Sequence, residues 1–168
     1  EGQRITLGGS AKGYAVDLAT EALIASGISS AIVEAGGDLR VIGSKNIDAE
    51  WHIAIQHPRD EGEYITRLTV PDMAVVTSGD YQRYYDGDRE YHHIINPKTG
   101  RSANELISVT VIAESAFAAD ALSTAALVLG PSAGVKLIES LDRVEALFIS
   151  RSRTITRTSG FSHYEVRT

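Results

Sequence analysis

Asp120, Ser123 and Thr124 fall at i, i+3 and i+4 of the Ala/Leu-rich stretch from Ser115 to Leu129, so a helix there sets all three on one face. An ionised carboxylate on such an apolar helix is costly if buried unpaired, and Asp120 therefore calls for a cationic neighbour. One carboxylate with a hydroxyl a turn later is a partial shell for a hard cation such as Mg²⁺, whose octahedron is completed by water and substrate phosphates. The same trio also suits a helix face that simply looks at solvent.

Three further groups of residues have chemical potential. Gly8-Gly9-Ser10-Ala11-Lys12-Gly13 precedes a helical pattern, where unpaired N–H groups, the helix dipole and the Lys12 charge would favour an anion. It is not a Walker loop, since Lys12 precedes the last glycine and no Ser or Thr follows it, and it also fits an ordinary strand-to-helix connection. His92 and His93 are adjacent, so on an extended segment only one of them can face a given site as a proton acceptor. His52, His57 and His163 have no partner cluster and read as structural. Gly36-Gly37-Asp38 and Thr77-Ser78-Gly79-Asp80-Tyr81 each follow an apolar strand and offer backbone N–H groups without bulk, as a ligand-lining segment or a plain turn would.

The elements that must hold these groups follow from periodicity. A short strand over residues 4–7 is expected to enter the glycine turn, and Ala15, Leu18, Ala19, Ala22 and Leu23 mark an amphipathic helix stopped at Gly27. Strands are expected at residues 31–33, 39–42, 51–56, 64–70, 73–77, 107–112, 144–149 and 154–157, with residues 58–63 as a polar loop. Asp86-Gly87-Asp88 between two Tyr-rich segments is the strongest hairpin signal. Gly130-Pro131 closes the helix begun at Ser115 and opens another that reaches about Leu141. Hairpin-linked strands favour an α+β fold with a largely antiparallel sheet.

The composition is that of a globular chain: 168 residues, 43% hydrophobic and 23% charged. A net charge of −6 without a Lys/Arg block speaks against a broad nucleic-acid-binding face. The absence of cysteine excludes disulfides, thiolate catalysis and thiolate metal sites. No apolar run approaches the roughly 18 residues of a membrane span. A first residue of Glu1 suggests a processed or excised piece of a longer protein.

Taken in order, the motifs resemble the ApbE family, the FAD:protein FMN transferases. The matching pieces are LGGSAKGYAVD (residues 7–17), GGD (36–38), TSGDY (77–81), YHHIINPKTG (91–100), SVTVIAESAFAADALSTA (108–125) and VLGP (128–131). The resemblance implies that residues 1–168 are the C-terminal portion of a T-fold-like flavin transferase domain. It implies a metal site of the Asp120 carboxylate, the Thr124 hydroxyl and the Gly9 carbonyl, with Mg²⁺ or Mn²⁺ as the ion. Thr6, Gly8, Gly9, Lys12, Ser78, Gly79 and Tyr81 would lie along FAD, with Lys12 near its pyrophosphate. His93 would assist transfer of FMN to a threonine hydroxyl of an acceptor flavoprotein, with AMP released. Two positions depart from the family pattern: Thr6, usually an Asp that contacts FAD, and Asn96, usually an Asp before the proline. Related expectations are FAD hydrolysis to FMN and AMP in the same site, a non-catalytic flavin-binding module that needs a partner segment, and a generic Mg²⁺-dependent phosphoesterase. The resemblance also implies work in the bacterial periplasm or at the outer face of the inner membrane, often with a lipid anchor.

Overall fold

The computed structural model describes residues 2, 5–46 and 49–166. Helix α1 (Ala11–Ala25) is followed by strands β1 (Ala31–Ala35), β2 (Asp38–Ile42), β3 (His52–His57), β4 (Asp60–Thr69) and β5 (Ala74–Gly79). Two short strands, β6 (Ile95–Asn96) and β7 (Arg101–Ser102), precede the long β8 (Leu106–Ala113). Helix α2 (Ala116–Glu139), β9 (Glu145–Ser150), β10 (Ile155–Arg157) and a 3₁₀ turn at Phe161–His163 complete the order.

Six strands form one antiparallel sheet in the order β1-β2-β5-β8-β9-β10, while β3–β4 and β6–β7 are separate hairpins. The expected α+β fold with a largely antiparallel sheet is what the chain adopts. Both faces of the sheet are covered, and successive side chains on a strand alternate between them. Ala74 and Val76 of β5, Val109 and Val111 of β8, and Ala146 and Phe148 of β9 pack against Val16, Ala119 and Leu127 of the helices. Val75, Ile112, Leu147 and Ile149 pack the other way, against Ile53, Ile55 and Leu68 of the β3–β4 hairpin. Strand β8 is therefore buried along its whole length. Its pairing with β9 skips from Leu106 to Ser108, and this bulge inverts the alternation, so Ile107 faces the hairpin side.

The helix boundaries follow local chemistry. Gly27 takes φ 85°, and the Gly27 and Ile28 N–H groups donate to the Ile24 and Leu23 carbonyls, which closes α1 with the pair of bonds expected at a left-handed glycine stop. Gly130 (φ 79°, ψ 177°) breaks the run 116–139 into two helices, the second opened by Pro131 as its position predicts. That run has a mean hydropathy of 1.5 over its most apolar window, high enough for a membrane span by composition. The expectation that no segment comes near that threshold is thus corrected: the apolar character here serves burial of Ala119, Ala126, Leu127 and Ile138 in the core.

Three further expectations are corrected. Residues 5–7 form no strand; the Leu7 carbonyl instead accepts the Ser10 and Ala11 N–H groups at 3.0 and 2.9 Å and starts the helix (Arg4 lies outside the described residues). The Tyr-rich segments do not form regular strands. They meet through one bridge, Tyr84 with His92, and a Tyr85 N–H to Tyr91 carbonyl bond of 2.8 Å, because Arg89 at φ 56° and the Asp86 side chain, which accepts the Tyr91 N–H, widen the turn. The polar stretch 58–63 is mostly strand, since β4 begins at Asp60 and register shifts around Gln56 absorb the mismatch. Finally, residues 164–166 run along the outer side of β4: the Thr69 N–H donates to the Tyr164 carbonyl and the Val166 N–H to the Arg67 carbonyl, each at 2.8 Å.

Candidate functional site

Helix α2 is anchored at its start by α1. Asp17 accepts the Ala116 and Phe117 N–H groups at 2.9 and 2.8 Å and also takes Arg40 at 2.8 Å, while the Ser115 hydroxyl accepts the Ala118 N–H. Donors otherwise orphaned at a helix N-terminus are thus satisfied by a residue about a hundred positions earlier in sequence. The helices cross at Gly13, where a Cβ would lie 2.6 Å from the Ala116 carbonyl carbon and closer still to its oxygen.

One turn into α2, Asp120 is 4% exposed, and its Oδ2 accepts the Gly13 N–H at 3.0 Å. Ser123 Oγ donates to the Asp120 carbonyl at 3.0 Å and lies 2.8 Å from Ser78 Oγ, which is 3.0 Å from Thr124 Oγ1. Gly9 stands against the same threonine: a Cβ there would be 3.1 Å from Thr124 Oγ1. The glycine turn, the end of β5 and one face of α2 therefore bring Gly9, Ser78 and Thr124 into contact, with Asp120 one turn away. Among the described residues no three His, Cys, Asp or Glu gather as a metal cluster. A cation here would rely on hydroxyl and carbonyl oxygens beside carboxylate, which is the all-oxygen chemistry of Mg²⁺ or Mn²⁺.

A second carboxylate joins the first from the start of β2. Asp38 is 1% exposed and pairs with Lys12 Nζ at 2.6 Å, while Lys12 donates a hydrogen bond to the Gly36 carbonyl at 2.9 Å. The contact is an ion pair rather than an aligned hydrogen bond, and neither Asp38 oxygen has an aligned donor among the described residues. Burial pushes the Asp38 carboxyl from 3.8 up to about 6 in spite of Lys12, and the neighbouring Asp120 charge adds to the rise. A carboxyl raised in the folded state is ionised in the unfolded chain first, so its contribution to stability declines as pH climbs from 3.8 through about 6. Thermal melts of metal-free protein between about pH 4 and about pH 8 should show this decline flattened in Asp38→Asn, with the variant gaining on wild type from pH 3.8 up to about 6 and keeping that gain at higher pH. A constant offset at every pH would refute the assignment.

His92 and His93 differ in burial, and their rings meet edge to face with centroids 6.4 Å apart. His92 is fully buried, with Nε2 3.1 Å from Asn104 Oδ1 and 3.2 Å from the Ala103 carbonyl. His93 is exposed, and its Nδ1 lies 3.1 Å from the Arg83 carbonyl. A carbonyl only accepts, so Nδ1 carries the proton and Nε2 keeps its lone pair. Partial burial lowers the His93 pKa below its usual 6.5 against the opposing pull of its bond to the Arg83 carbonyl, and the nearby positive charges, Lys12 among them, add to the lowering. His93 is thus a neutral proton acceptor at pH 7. Burial also raises the Tyr81 phenol, with Asp80 adding, so it remains a donor. Thr6 is exposed and its Oγ1 accepts the Gly8 N–H at 3.2 Å, so this hydroxyl holds the glycine turn.

Sequence spacing pointed to Asp120, Ser123, Thr124 and Lys12 and to one of the two adjacent histidines, and the family resemblance chose His93. It did not identify Asp38 as the companion of Asp120, Asp17 as the cap of α2, or the Arg59–Asp80 pair beside Tyr81, because each joins segments distant in sequence. Two surface depressions, one lined by Trp51, Val70 and Asp72 and one by Tyr64, Arg67 and His163, lie away from this cluster.

The fold recurs in solved structures of the ApbE protein and of the flavin transferase ApbE. Superposition on the ApbE protein of Thermotoga maritima gives a TM-score of 0.89 at 39% identity over 98% of this chain and 54% of that one. The flavin transferase ApbE of Vibrio cholerae gives 0.82 at 32% identity over 95% of this chain and 52% of that one. The ApbE family model matches residues 1–148, and the chain belongs to the ApbE family. Among curated relatives, the FAD:protein FMN transferase of Vibrio cholerae is 36% identical over 92% of this chain and 45% of its own length, and that of Treponema pallidum 35% over 95% and 47%. The chain thus spans about half the length of the curated relatives it matches.

Proposed function

We propose that this chain carries the metal- and pyrophosphate-binding part of a Mg²⁺-dependent transferase that moves FMN from FAD to a threonine hydroxyl of an acceptor flavoprotein and releases AMP. The observation that carries the reading is the meeting of Gly9, Ser78 and Thr124 beside Asp120 in a member of this family. A divalent cation bound by Asp120, Thr124 and the Gly9 carbonyl would offset the charge of the FAD pyrophosphate. Lys12, in the first turn of α1 and held by Asp38 and Gly36, supplies a fixed positive charge for the same anion. The Thr6-braced turn carrying Gly8 and the segment Ser78, Gly79 and Tyr81 would flank the rest of FAD. The acceptor threonine oxygen forms a bond to the FMN phosphorus as the bond from that phosphorus to the AMP oxygen breaks. The threonine proton passes to His93 Nε2.

Since His93 is exposed, water can take the place of the acceptor hydroxyl, which yields FMN and AMP. Incubation with FAD, Mg²⁺ and a threonine-bearing acceptor peptide separates the readings. AMP with covalent flavin supports the transferase, AMP with free FMN the hydrolase, and no turnover a module that needs further polypeptide; equal hydrolysis of simple nucleotides marks a generic phosphoesterase. His93→Ala should slow transfer about a hundredfold, the range of a general base, while FAD binding stays nearly intact. A collapse of binding would make His93 a pocket residue. The family resemblance also carries the proposal of a periplasmic setting.

A further inference from the structure

Arg59 lies in the β3–β4 turn, far in sequence from the segment that follows β5, and its guanidinium meets Asp80 as a two-pronged pair. Nη1 donates to Asp80 Oδ1 at 2.8 Å and Nη2 to Oδ2 at 2.6 Å. Asp80 is 1% exposed. The Arg59 side is itself fixed, since its N–H donates to His57 Nδ1 at 3.2 Å and Nη1 also reaches the Pro58 carbonyl at 3.1 Å. The Asp80 N–H donates at 2.9 Å to the carbonyl of Ile107, the bulged residue of β8. Asp80 is therefore held through its backbone and both carboxylate oxygens. Its neighbours share the constraint. The Tyr81 ring folds back over Gly79 so closely that a Cβ on Gly79 would be 2.9 Å from ring carbons Cδ1 and Cζ. One residue earlier, Ser78 Oγ touches both Ser123 and Thr124.

We propose that Arg59 is a positioning residue of the flavin site: its two-pronged hold on Asp80 fixes Gly79 and Tyr81 and, through Ser78, the orientation of the Thr124 hydroxyl. The inference rests on the reading that residues 78–81 line the FAD site. A planar fork with parallel donors locks both position and rotation of a carboxylate, whereas a lysine ammonium binds it as a point charge. A pair whose only purpose was stability would be easily replaced by apolar packing, because burying two charges returns little net free energy. Here the pair sits at the end of the strand that delivers Ser78.

The test is Arg59→Lys, which keeps the charge and loses the fork, alongside the double variant Arg59→Met/Asp80→Asn, which leaves no unpaired charge. Amide hydrogen exchange at residues 78–81, FAD affinity by quenching of flavin fluorescence, and Mn²⁺ affinity by electron paramagnetic resonance are read for each folded variant. Exchange at 78–81 should quicken about tenfold and FAD affinity fall about ten- to a hundredfold in both, the scale of losing a supporting shell. Mn²⁺ affinity should fall less, since Asp120 is untouched. Unchanged exchange at 78–81 in Arg59→Lys overturns the inference, and so does quickened exchange with FAD affinity at the wild-type level. Failure of the wild-type protein to quench flavin fluorescence is a separate result, and it removes the FAD reading itself.

Discussion

Asp120→Asn should leave the fold standing and lower FAD turnover about a thousandfold. The amide oxygen of Asn can still accept the Gly13 N–H that Asp120 Oδ2 takes at 3.0 Å, so the crossing of α1 on α2 keeps its bond. What disappears is the negative charge that would bind the cation. A cation on a phosphoryl oxygen contributes several kcal/mol of charge stabilisation in the transition state, and about 4 kcal/mol corresponds to three decades in rate. Asp120→Ala separates the two roles from the other side. It should lose turnover equally and also stability, because a buried N–H left without an acceptor costs about 1–3 kcal/mol. Calorimetric titration with Mg²⁺ and AMP release in the same samples check both. If Asp120→Asn turns FAD over at the wild-type rate, the ion is bound elsewhere and the mechanism falls with it.

The second large effect is at Gly13. In an exposed helix, Gly→Ala stabilises by about 1 kcal/mol. Here the sign should reverse. A methyl group at this position would lie 2.6 Å from the Ala116 carbonyl carbon, nearer to its oxygen, and 2.8 Å from Asp120 Cβ. The obstacles are the backbone of α2 and the root of a buried side chain, so no rotamer change relieves them. The helices must separate, which strips the Gly13–Asp120 bond and loosens Val16, Ala116 and Ala119 in the core. Overpacking of this kind costs about 3 kcal/mol, a fall in melting temperature of about 6–12 °C for a chain of this size. Cation affinity should fall in parallel, since Asp120 moves with the crossing. A Gly13→Ala protein that melts at or above wild type would show that the helices do not meet this closely.

What could be read ahead of the structure was set by short-range physics. Asp120 and Thr124 share a face because a helix turns every 3.6 residues, Gly27 stops α1 because few other residues take φ 85°, and Pro131 opens a helix because its missing N–H is not needed there. The family resemblance then selected Gly9 as a third participant. The long-range pairings were not legible. Asp17 reads as one polar residue in an amphipathic helix until α2 arrives to be capped by it, and Arg59 reads as part of a polar loop until the hairpin folds across to Asp80. Asp38 gives no sign in sequence that its nearest charges are Lys12 and Asp120. The Tyr-rich segments misled in the opposite direction: a strong local turn signal was overridden by the Asp86 side chain and by Arg89 in the left-handed region.

The run of residues 164–166 beside β4 has a bearing on how copies of the molecule meet. A two-stranded ribbon normally presents bare amide and carbonyl groups on both flanks, and each flank is a template on which a neighbour can add its own chain. Here the end of one flank, at residues 67–69, is already occupied by the protein's own residues 164–166, so a neighbouring ribbon has no foothold at that end.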